Sequence, residues 1–150
     1  MQKQVKTTSV EETEQLAQTL GQRLRGGEVI ELVSDLGGGK TAFVRGLARG
    51  LGSSDKVASP TFTISKLYKS KDLDLHHFDF YRLPEAGLMS HELRDVLDDP
   101  RAVIAVEWGS VVEKVLPKER LAIEISNTGG DSRTISFKYS DSFEYLMEDL

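Results

Sequence analysis

The stretch that decides the fold runs V-I-E-L-V (Val29–Val33), S-D-L-G-G-G-K-T (Ser34–Thr41) and A-F-V-R-G-L-A-R-G-L (Ala42–Leu51). An apolar run, a glycine-rich turn and an amphipathic segment follow one another without a spacer, which reads as buried strand, tight turn and helix. Phe43, Leu47 and Leu51 recur at i, i+4 and i+8 with Val44 and Ala48 beside them, so one stripe of that helix is apolar. Gly37, Gly38 and Gly39 carry no Cβ, and a backbone without that restriction can turn its N–H groups inward around an anion. The helix opening at Lys40 adds the positive end of its dipole at the same point. In such a phosphate-binding loop Lys40 reaches the β- and γ-phosphates of a nucleoside triphosphate, and the Thr41 hydroxyl coordinates Mg²⁺. Ser34 stands where the full G-x-x-x-x-G-K-[ST] pattern has its first glycine, so the flanking strand and helix carry the reading.

Composition narrows the alternatives. At 150 residues the chain is expected to form one domain with a substantial core. The longest apolar run, Ala102–Val106, is far too short to span a bilayer. The first residues, M-Q-K-Q-V-K-T-T-S, lack the apolar centre of a signal peptide, and a cytoplasmic location is expected. Absence of cysteine excludes disulfides and thiolate metal sites. With 19 basic and 24 acidic residues, the net charge of −5 argues against a broad nucleic-acid-binding face. Arg45 and Arg49, one helical turn apart, read as an ordinary solvated face rather than a basic patch.

Outward from the loop, Ser9 and Glu12 have capping-box spacing ahead of a helix that Gly26-Gly27 stops. Thr61–Tyr68 and Leu73–Tyr81 alternate in character around a polar K-S-K-D and read as a hairpin. Pro84–Leu97 reads as a helix that Pro100 ends, and Ala102–Val106 as a buried strand of an α/β sheet. Leu121–Ser126 and Arg133–Tyr139 flank N-T-G-G-D-S as a second hairpin, and Ser142–Leu150 reads as a closing helix. The expected fold is α/β, a three-layer fold of the phosphate-loop NTPase kind with a mixed sheet and antiparallel hairpins.

Glu107 follows A-V-I-A-V directly. At the end of an apolar strand beside the loop strand, an acid holds Mg²⁺ or orients the attacking water. Trp108, next in line, either covers the site or packs in the core. Alternation puts His77, Asp79 and Tyr81 on one polar face of their strand, and His76, Phe78 and Phe80 on the other. Asp79 is thereby placed to position water, while the adjacent histidines point to opposite faces and do not form a metal pair. Ser59-Pro60-Thr61 reads equally as a switch presenting a hydroxyl or as a plain turn. The lone asparagine, Asn127, precedes threonine, so the guanine-reading N-K-x-D is missing and ATP is the default nucleotide.

Four stretches taken together resemble the TsaE family (formerly YjeE) of small bacterial ATPases. They are D-L-G-G-G-K-T-A-F-V-R-G-L at Asp35–Leu47, S-P-T-F-T at Ser59–Thr63, H-F-D-F-Y-R-L at His77–Leu83 and V-E-W at Val106–Trp108. The resemblance runs from about Ser9 to Arg133, with Ser34 and Ala42 as departures from the usual residues. It implies an ATP- and Mg²⁺-binding domain that acts with two proteins, TsaB and TsaD, in threonylcarbamoyladenosine modification of tRNA. The tRNA would be met through that complex. By the family pattern Leu36, Gly37, Gly38, Gly39, Lys40, Thr41 and Ala42 bind nucleotide, with Val10 and Gly130 near its adenosine end. Thr41 and Glu107 hold Mg²⁺, and Asp79, Glu107 and Trp108 serve hydrolysis. A small-molecule kinase is the runner-up, weakened because Arg82 and Arg94 are too few for a lid. A nucleotide-dependent adaptor with vestigial hydrolysis is the third reading.

Overall fold

A computed structural model describes residues 1–34, 38–58, 65–81 and 87–150, with the side chains of 88 and 89 left aside. Among these residues a sheet of order β1-β7-β6-β2-β5-β4-β3 forms the middle layer. Its strands are β1 (Gln2–Thr7), β2 (Val29–Val33), β3 (Ser65–Lys69), β4 (Asp74–Asp79), β5 (Ala102–Glu107), β6 (Leu121–Gly129) and β7 (Ser132–Lys138). The four central strands, β6, β2, β5 and β4, run parallel, and antiparallel partners close both sides: β3 on β4, β7 on β6 and β1 on β7.

Strand alternation sorts the core into two layers. Ile30 and Leu32 of β2, Val103 and Ala105 of β5 and Leu75 of β4 pack under α1 (Val10–Gly21) and α2 (Lys40–Leu51). On the opposite face Val29, Ile104, Val106, Phe78 and Phe80 pack under Leu93 of α3 (Gly87–Leu97). The run Ala102–Val106 is buried along its whole length because it is covered on both faces.

Helices α1 and α2 approach backbone to backbone. A Cβ at Gly46 would lie 2.3 Å from the Glu14 carbonyl oxygen, and one at Gly50 2.3 Å from that of Gln18. Ser9 caps α1 as its spacing predicts, its hydroxyl accepting from the Glu12 N–H at 3.1 Å. The Glu12 carboxylate reaches one residue further back than in a standard box, taking the Thr8 N–H at 2.6 Å and the Thr8 hydroxyl at 2.9 Å.

Several expectations change: α1 ends at Gly21, ahead of the Gly26-Gly27 stop, and the first strand of the second hairpin runs on to Gly129. Residues 2–7, which the sequence reading leaves without an element, form an edge strand along β7. With one apolar residue, Val5, among charged and polar neighbours, this strand has no hydrophobic alternation to betray it. The closing helix expected over Ser142–Leu150 is a 3-10 segment, Asp141–Leu146, whose three-residue turn stacks Phe143 over Leu146 into the core. The β5 strand extends one residue further than expected and takes in Glu107. The start of the first hairpin at 61–64 and of the third helix at 84–86 lies outside the described residues, as does Ser59-Pro60-Thr61.

Candidate functional site

The strand–turn–helix unit places its chemistry at the carboxyl end of β2, in the middle of the parallel strands. Ligand sites of open α/β sheets sit at this end. Gly39 caps α2 with φ +105°, a left-handed conformation that a side chain would strain. Lys40 then opens the helix and points back toward the strand ends. Its side chain is 9% exposed. The Nζ donates to the Ser34 carbonyl at 3.2 Å, lies 3.5 Å from Glu107 Oε1 and sits 5.2 Å from the centre of the Trp108 ring. Among the described residues this enclosed ammonium is held by a carbonyl, an ion pair with Glu107 and an aromatic face.

Glu107 reaches this lysine because β5 is hydrogen-bonded beside β2, with Leu32 opposite Glu107 in register. The next strand repeats the row: Asp79 of β4 is the register partner of Glu107. Burial, and secondarily the Glu107 charge, push the Asp79 carboxyl above its ordinary range, although its Oδ1 accepts the Tyr81 N–H at 3.0 Å. His77, on the same face, is 1% exposed, and its Nε2 meets Glu107 Oε2 at 2.6 Å. The polar face read from the alternation of His77, Asp79 and Tyr81 is therefore real, with His77 turned inward and Tyr81 outward.

Trp108 stands at the cleft and not in the core. It is 37% exposed, and its ring lies 4.9 Å from that of Tyr81 and over Lys40. Its backbone is left-handed (φ 59°, ψ 44°), which for a bulky side chain costs about 1–3 kcal/mol and recurs where function holds it in place. Together with Ser34, Lys40 and Gly109 it lines a cleft of about 170 Å³.

The more distant candidates converge through a residue that the motif reading passed over. Arg133 of β7 donates from Nε to the Gly38 carbonyl at 2.9 Å and from an NH₂ group to the Gly130 carbonyl at 2.8 Å. The turn at Gly130 is thereby tied to the glycine turn. Thr7, the register partner of Arg133, brings the start of α1 and Val10 to the same end of the sheet. Thr41 and Ala42 occupy the first turn of α2, while Leu36 and Gly37 lie outside the described residues. Arg45 and Arg49 both bond Glu14 of α1, at 2.5 and 2.9 Å, and face along α1 rather than into the cleft. For Arg133 the sequence held no spacing signal, and it is found by its contact to Gly38; alternation placed His77 on the polar face, and its contact to Glu107 comes from the structure.

Among the described residues no group of three or more His, Asp or Glu side chains forms a self-sufficient metal cage. Glu107, at the strand end, and Thr41, in the first turn of α2, are the residues that could hold a cation there.

A glycine turn, a buried lysine and a strand-end glutamate meeting on parallel strands define an α/β protein whose site lies at the sheet's carboxyl edge. This chain belongs to the TsaE family: residues 7–135 match the family described as threonylcarbamoyl adenosine biosynthesis protein TsaE. It is 41% identical over 150 residues to the tRNA threonylcarbamoyladenosine biosynthesis protein TsaE of Bacillus subtilis, covering 97% of this chain and 91% of that protein. The protein of the same name from Treponema pallidum is 33% identical over 135 residues, 85% of this chain and 94% of its own. The crystal structure of Bacillus subtilis YdiB superposes with a TM-score of 0.82 at 37% identity, covering 99% of this chain and 93% of that one. Among the described residues no helix is long and apolar enough to cross a membrane.

Proposed function

We propose that this chain binds ATP with Mg²⁺ at the cleft between β2, β5 and α2, hydrolyses it slowly, and serves threonylcarbamoyladenosine modification of tRNA together with TsaB and TsaD. The observation that carries the nucleotide reading is the placement of Lys40. A buried ammonium at a helix start, beside a left-handed glycine and 3.5 Å from the Glu107 carboxylate, has the donors and the metal ligand that a triphosphate needs. Lys40 and the glycine turn bind phosphate, Thr41 and Glu107 hold Mg²⁺, and Asp79 orients water. Mg²⁺ supplies charge neutralisation on the phosphates. The tRNA reading rests on the family and on the relatives' role in threonylcarbamoyladenosine biosynthesis that their names state; the two partners follow from the resemblance.

Arg45 and Arg49 are committed to Glu14, so neither is set to stabilise a transferring phosphoryl group. Turnover by the chain alone is therefore expected near the unassisted range of about 10⁻⁴–10⁻² s⁻¹. The experiment is titration calorimetry with ATP and Mg²⁺, followed by phosphate release with and without TsaB and TsaD. Binding weakened in Lys40→Ala and turnover raised by the partners are the results expected. Rapid turnover without partners, or normal tRNA modification in cells depleted of this protein, would reject the assignment in favour of a kinase.

A further inference from the structure

The two oxygens of the Glu107 carboxylate are held in different ways. Oε1 faces Lys40 at 3.5 Å, a loose contact to a flexible side chain. Oε2 lies 2.6 Å from Nε2 of His77, a short bond between two groups that are 6% and 1% exposed. A carboxylate only accepts, so the Nε2 nitrogen carries the proton and donates. The other ring nitrogen, Nδ1, is buried without a partner among the described residues. Leaving such an atom unsatisfied is unfavourable, and Leu75 on the same face of β4 shows that an apolar side chain is accommodated there. Packing alone therefore gives no reason for an imidazole at this position. The strand pairing does: His77 lies opposite Ala105, whose small side chain lets the ring reach the glutamate two residues on.

We infer that His77 is the positioning residue of Glu107. Its Nε2–H pins Oε2 in place, so the carboxylate keeps its direction when Lys40 leaves Oε1 for phosphate, and Oε1 is the oxygen offered to the metal. Lys40 is the exchangeable partner of Glu107 and His77 the permanent one. This inference rests on the nucleotide reading above. It is a hydrogen-bonded support behind a metal ligand, of the kind whose loss weakens metal binding about 10- to 100-fold.

The test measures ADP affinity of the full chain by calorimetry, in Mg²⁺ and in EDTA, for the unmodified protein, His77→Leu and His77→Gln. The affinity gained from Mg²⁺ should fall about tenfold in His77→Leu. Affinity in EDTA should stay within about twofold, because the phosphate contacts of the loop are untouched. The glutamine amide N–H should recover most of the gain. A full Mg²⁺ gain in His77→Leu, or equal losses with and without Mg²⁺, overturns the inference. A second measurement needs no variant: nitrogen-15 NMR should show the Nε2–H tautomer with a protected ring proton, before and after Mg²⁺ and ADP. An Nδ1–H tautomer, or loss of that proton on adding Mg²⁺ and ADP, overturns it equally. An unmodified protein that binds no ADP in either buffer rejects the nucleotide reading itself, a result distinct from both.

Discussion

Replacing Gly46 with alanine sets two opposed effects against each other. Alanine in a helix interior is favoured over glycine by about 0.5–1 kcal/mol, so an exposed site would gain stability. Here the added methyl would stand 2.3 Å from the Glu14 carbonyl oxygen and 2.6 Å from the Ala17 Cβ. Comfortable carbon contacts are about 3.5–4.0 Å, so α1 and α2 must part by roughly 1 Å. Neither obstruction can rotate aside, since one is backbone and the other is fixed to it. The overpacking cost therefore falls toward the upper end of the usual range, about 3 kcal/mol. Set against about 1 kcal/mol of helix propensity, the net loss is about 2 kcal/mol. For a chain of this size that lowers Tm by about 4–8 °C. Differential scanning calorimetry reads it directly, and Gly50→Ala, with a 2.3 Å approach to the Gln18 carbonyl, should behave alike. A Gly46→Ala protein melting at or above the parent would refute the claim that these helices touch through their backbones.

Lys40→Ala should weaken ATP binding about 10- to 100-fold, the equivalent of one charge-assisted hydrogen bond of about 1.5–3 kcal/mol, as read by calorimetry. Glu107→Ala and Asp79→Ala should retain nucleotide affinity better than turnover, with the larger Mg²⁺ effect at Glu107; phosphate release equal to the parent in both would remove them from the chemistry. Asp79→Asn should raise Tm at neutral pH. The folded carboxyl titrates above its unfolded value, so its ionisation opposes folding once pH exceeds the folded value. The advantage of asparagine should shrink as pH falls through that window and vanish below the ordinary aspartate range, which melts at a series of pH values would show. Arg133→Ala should loosen the glycine turn by removing its bonds to the Gly38 and Gly130 carbonyls, seen as faster amide hydrogen exchange at Gly39 and Gly130.

The strand, turn and helix at 29–51 could be read because each has its own strong local signal: an apolar run, clustered glycines and a 3.6-residue stripe. Glu107 was equally open, since a charge directly after five apolar residues marks the end of a buried strand. What stayed hidden depends on contacts between distant segments. The edge strand at residues 2–7 takes its stability from pairing with β7 rather than from an apolar face. Gly46 and Gly50 look like defects in a helix until α1 is laid against them. The inward turn of His77 depends on the register of β4 against β5, which strand alternation alone does not fix.

The chain contains a single tryptophan, and that residue covers the cleft. Indole emission responds to nearby charge and to water, and here the Lys40 ammonium lies 5.2 Å from the ring centre on a face that is partly open to solvent. Any event that draws the lysine away or closes the cleft must alter that light, with no second indole to dilute the change. The protein thus carries its own optical reporter at the place where its chemistry is expected, and occupancy of the cleft can be followed in real time without a label.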